Sequence, residues 1–102
     1  MDIATSKNGV PIRLTEERWF HITENHDDLA GHYDDVLYTI EDPDYVIEGY
    51  KKALIALRKF TRAKFLAVVY KEVSREDGFV ITAYFTSRLD LKKEVILWQK
   101  KS

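Results

Sequence analysis

Three histidines, His21, His26 and His32, fall close together beside Asp27 and Asp28. Histidine titrates near neutrality, so it serves as a general acid or base. With carboxylates it also ligates metals. The spacings of five and six residues do not stack the imidazoles on one helical face. That pattern argues against a converging ligand set and for proton transfer. Packing offers plainer roles: a half-buried cap at a helix end for His26, and a solvated surface position for His21. The chain has no cysteine, which removes disulfides, thiolate zinc sites and cysteine nucleophiles. No metal and no other cofactor is expected.

A second group lies later in the chain. Arg58, Lys59, Arg62, Lys64 and Arg88 supply cations, and Tyr70 an aromatic ring. Thr82, Tyr84 and Thr86 alternate along one strand-like run, which sets their hydroxyls in a row on one face. Cations meet phosphates and rings stack on bases, so the set suits a nucleic acid. Ordinary cross-strand pairing on a solvated sheet uses the same residue types. There is no glycine-rich phosphate loop, dinucleotide fingerprint or serine-nucleophile motif, which argues against a metabolic NTPase, dehydrogenase or hydrolase.

These groups need a scaffold. The 102 residues make one domain, and 45% hydrophobic with 13% aromatic residues is enough for a packed core. Residues 1–8 are polar and read as a flexible N-terminus; 9–102 read as a single domain. Val10 to Leu14 predicts a short extended run, with Pro11 confined to a strand start or edge. Thr15 predicts a helix cap, and a helix follows over about Glu16 to Asn25. Leu29, Tyr33, Val36, Leu37 and Ile40 give the stripe of a second helix, stopped by Pro43. The period then shortens. Tyr45–Glu48, Ala53–Phe60, Lys64–Val73 and Phe79–Ser87 read as strands, with Asp77-Gly78 closing a hairpin loop. Leu66 to Tyr70 is apolar without alternation, the mark of a central strand covered on both faces. Val95 to Trp98 suits a last strand or a short helix. The reading is an α+β fold: a short N-terminal strand, then two helices packed on one face of a roughly four-stranded antiparallel sheet. Phe79, Ile81, Ala83 and Phe85 are expected toward the helices, with the other sheet face open.

The net charge of −1 conceals an asymmetry: residues 1–50 carry −9 and residues 51–102 carry +8. A basic surface set against an acidic one would produce this, as would two halves that solvate each other. No apolar run approaches the ~20 residues of a membrane span, and the first residues lack the features of a signal peptide. A cytoplasmic protein without membrane partners is expected.

Arg13-Leu14-Thr15-Glu16-Glu17-Arg18-Trp19-Phe20-His21-Ile22, followed by His26, resembles the N-terminal signature of barnase–EndoU–colicin–RelE-like nucleases. The phage and toxin–antitoxin-associated branch is the nearest in pattern. Ala56-Leu57-Arg58-Lys59-Phe60, Lys64 to Tyr70 and Gly78 to Thr86 extend the likeness over roughly residues 9–98. The segment Asn25-His26-Asp27-Asp28 departs from the Arg-His-Pro-Glu of many relatives, which removes a cation and adds a carboxylate. The resemblance implies a RelE- or barnase-like fold and a toxin-type endoribonuclease that cleaves RNA without metal, by attack of the 2′-hydroxyl on the adjacent phosphate. It implies His21, His26, Arg58, Lys64, Thr82 and Thr86 as catalytic residues, with His21 first for acid–base work. Lys59, Arg62, Tyr84 and Arg88 would bind RNA, and a protein antitoxin would be the partner. Two other readings stand beside it: a non-catalytic module binding RNA or protein through the open sheet, and an inhibitory partner using the acidic first half.

Overall fold

Helix α1 (Glu16–Asn25) starts at its predicted cap. The Thr15 hydroxyl accepts from the Arg18 amide at 3.1 Å, and Glu16 and Glu17 lie at the positive end of the helix dipole. A single 3₁₀ turn, Asp27–Leu29, follows and buries Leu29. Helix α2 (Tyr33–Glu41) buries Val36, Thr39 and Ile40 and ends just before Pro43. The computed structural model describes residues 1–101; Ser102, the last residue of the expected 9–102 domain, lies outside them.

The strands are β1 (Asp2–Thr5), β2 (Pro11–Leu14), β3 (Tyr45–Glu48), β4 (Leu54–Thr61), β5 (Lys64–Glu72), β6 (Gly78–Thr86) and β7 (Ile96–Gln99). They form one sheet in the order β1-β2-β6-β5-β4-β3-β7. Neighbours are antiparallel except β2 and β6, which run parallel. The expected sheet of about four antiparallel strands is therefore corrected: two helices and an α+β class remain, but the sheet is mixed and seven-stranded. The strands beyond the long antiparallel run β4, β5 and β6 are short, four residues each in β1, β2, β3 and β7, and their places in the sheet depend on distant partners. β1 lies in the stretch read as loose, and it is tied down by β2 through pairs from Asp2↔Leu14 to Thr5↔Pro11.

Gly78 permits the parallel junction. It pairs with Ile12, and a Cβ there would sit 2.6 Å from Ile12 Cδ1 and 2.6 Å from the Lys71 carbonyl oxygen. A bulge then resets β6. Thr82 pairs with Val69, but Val80 pairs with Tyr70, so Ile81 is the extra residue. Ala83 and Phe85 join the helix-side core as expected, whereas Ile81 yields that place to Val80, 1% exposed. Thr82, Tyr84 and Thr86 stay on the other face, beside Val69, Ala67 and Phe65.

The main core lies between helices and sheet. Ile22, Leu29, Val36 and Ile40 meet Ile12, Leu14, Leu66, Val68, Tyr70 and Val80 there. Tyr70 is thus a core residue rather than part of an exposed row, and burial pushes its hydroxyl pKa up. The second face is not open either. The segment carrying the chain from β6 to β7 lays Leu89 and Leu91 over Ile47, Leu57 and Ala67. The sheet also curls around α2. Lys7, in the β1–β2 turn, stands 4.8 Å over the Trp98 ring of β7, although these strands are at opposite ends of the order. The Thr5 amide donates to Glu41 at 3.3 Å, and Lys100 pairs with Asp42 at 2.9 Å. Among the described residues no helix is long and apolar enough to cross a membrane.

Candidate functional site

The sheet register carries the predicted cations to one end of the molecule, around the turn between β4 and β5. On the helix side, Arg58, Leu66 and Phe85 lie in one row across β4, β5 and β6. Arg58 donates to Asp35 Oδ1 at 3.2 Å and to the Thr39 hydroxyl at 3.4 Å, with its guanidinium 4.6 Å from the Tyr38 ring centroid. Lys64 Nζ lies 4.4 Å from the Phe85 ring centroid and 5.8 Å from that of Phe60. The same two rings stand nearly perpendicular to His32, at centroid distances of 5.4 and 5.3 Å. His32 Nδ1 lies 2.9 Å from Asp35 Oδ2. One carboxylate therefore joins an imidazole to a guanidinium, and a lysine ammonium shares the imidazole's aromatic walls.

The other face continues the cluster. Lys59, Phe65 and Thr86 form its outermost row, and Leu57, Ala67 and Tyr84 the next. The Tyr45 and Phe65 rings meet edge to face at 6.2 Å. The Lys59 side chain helps line a shallow hollow of about 220 Å³ with Asp44, Tyr45, Gln99 and Lys100. Arg62 is exposed in the β4–β5 turn, and the Arg88 amide donates to the Thr86 hydroxyl at 3.3 Å. The Tyr84 ring stands 6.1 Å from that of His26, the residue that caps the end of α1. Burial holds the Tyr84 hydroxyl above its ordinary pKa, with Glu94 adding to the effect, so it remains a neutral donor near pH 7.

Two expected members stand apart. Thr82 lies four residues back from Thr86, or roughly 13 Å along a strand. His21 is on the outer side of α1, its side chain 51% exposed. Its neighbours are Glu17 at 3.9 Å, Glu24 at 3.6 Å and the Phe20 ring, all on its own helix. Sequence reasoning underrated His32 and overlooked Asp35. The signal was available in their spacing of three residues, which places both over one turn at the start of α2. Among the described residues no three His, Asp or Glu side chains gather as a metal site. A larger hollow, about 410 Å³, lies at another corner, between Glu48–Leu54 and Leu97, and contains none of these groups. No protein-family model, curated protein or solved structure matches the chain.

Proposed function

We propose that this domain is a cytoplasmic, metal-independent endoribonuclease acting at the β4–β5 end of the sheet. One observation supports the reading most: Arg58, Lys59, Arg62, Lys64 and Arg88, scattered over thirty-one residues, reach one end together with Phe60, Phe65, Tyr84, Phe85 and two histidines. Cations hold the phosphates, and the partly exposed rings receive bases. In the reaction the 2′-oxygen attacks phosphorus, the P–O5′ bond breaks, and the products are a 2′,3′-cyclic phosphate and a 5′-hydroxyl. A histidine takes the 2′-hydroxyl proton. Lysine and arginine stabilise the phosphorane's charge, and O5′ leaves with a proton taken from solvent.

A protein antitoxin is the partner this reading implies. The test is incubation of the purified domain with mixed RNA in EDTA, followed by analysis of the new ends. The reading expects cyclic phosphate and 5′-hydroxyl termini. Saturable binding with no cleavage would instead make the cluster a binding module.

A further inference from the structure

We infer that His32, held by Asp35, is the group that takes the 2′-hydroxyl proton, an assignment that rests on the nuclease reading. The geometry supplies each requirement of a general base. Nδ1 is 2.9 Å from Asp35 Oδ2. A carboxylate accepts only, so Nδ1 carries the hydrogen, and in the neutral ring Nε2 keeps its lone pair for the substrate. The ring packs edge to face against Phe60 and Phe85, which come from two different strands and touch each other, and this contact limits its rotation. It remains reachable, since 30% of its side chain is exposed.

The charged groups at this corner support the role. Asp35 is shared with Arg58, whose 3.2 Å contact fixes the carboxylate from the far side. Lys64 lies over the same Phe60 and Phe85 rings and brings positive charge to this corner. Proton removal at O2′ by Nε2 accompanies formation of the O2′–P bond and cleavage of P–O5′. The proton then passes from Nε2 to solvent, and O5′ receives one from water, so the proton balance closes. Asp35 is a positioning residue, because it acts through the imidazole.

The experiment combines single-turnover cleavage of an RNA oligonucleotide with ¹⁵N NMR of the imidazoles, on the full chain. His32→Gln should lower the cleavage rate by about 10²–10⁴-fold while binding of a 2′-deoxy analogue persists. In the wild type the His32 resonances should report hydrogen on Nδ1. Asp35→Ala should move them toward the Nε2–H tautomer and lower kcat without raising KM, and Asp35→Asn, which keeps an acceptor oxygen, should restore part of both. Cleavage by a folded His32→Gln variant at the wild-type rate overturns the assignment while leaving the nuclease reading intact. No cleavage by the wild type overturns both. Should His32→Gln fail to fold, the tautomer and kcat of the two Asp35 variants decide: no change in either contradicts the assignment.

Discussion

His21 and His32 each lie beside carboxylates at helical spacing, yet their surroundings differ in kind. His21 projects from the outer side of α1, and its ring lies near Glu17, Glu24 and Phe20 of the same helix. His32 sits where α2 begins and is held by Asp35, by Phe60 from β4 and by Phe85 from β6. A ring among exposed side chains of its own helix keeps most of its rotational freedom. A ring fixed by three elements has lost that freedom on folding, so reaction does not bear the cost again. Fixed placement of side chains in this fold therefore follows tertiary convergence rather than the density of chemical groups along the chain.

The largest difference should appear in rate. His21→Gln should lower RNA cleavage by less than about tenfold, against the 10²–10⁴-fold loss from His32→Gln. Equal losses in parallel single-turnover assays would erase the distinction between the two regions.

Stability separates the regions next. Leu66 is 0% exposed and lies between Arg58 and Phe85, under the His32 corner. Leu66→Ala should cost about 2–5 kcal/mol in urea unfolding. Phe20, 59% exposed beside His21, should cost within about 0.5 kcal/mol on change to Ala. Similar losses at the two positions would mean that the corner is not anchored in the core.

A smaller effect belongs to salt. Lys64→Ala should weaken RNA binding and reduce the slope of log K against log salt by about 0.7, the value for one phosphate contact on a single strand. Arg18→Ala, on exposed α1, should leave that slope unchanged. Fluorescence titrations at several salt concentrations measure both.

Alkaline stability offers the smallest contrast. Tyr33, next to His32, donates to Asp2 at 2.8 Å, and burial followed by that hydrogen bond pushes its pKa up to about 12. The unfolded chain ionises near ~10. The folded value lies above the unfolded one, so this contribution is complete below pH ~10 and is lost as pH rises toward 12. Tyr33→Phe should flatten that part of the stability–pH curve, and an unchanged curve would remove the link between α2 and β1 from the account.

Much of this architecture is legible in the residues. Thr15 marks the start of α1, Pro43 the end of α2, and the long runs of β4, β5 and β6 show themselves by composition. What escapes is non-local. The parallel seating of β2 on β6 depends on a bare Cα at Gly78, where neither run alone indicates its partner. The Ile81 bulge changes which side chains face the core without a glycine or proline to announce it. Leu89 and Leu91 fall between the runs that read as strands, and their cover of the second face comes from packing against Ile47, Leu57 and Ala67. In the site, Arg58 and Lys64 stand out as cations, but their partners Asp35, Phe60 and Phe85 come from three elements. Only the His32–Asp35 spacing was local enough to read.

The proposed RNA site is tested most directly by titrating the ¹⁵N-labelled domain with a 2′-deoxy-substituted oligonucleotide, which the proposed reaction cannot cleave. Amide shifts should concentrate at Asp35, Arg58–Phe65 and Tyr84–Arg88, with α1 around His21 and the Glu48–Leu54 corner unmoved. Shifts centred on α1 or on that other corner, with the β4–β5 end silent, would contradict the account.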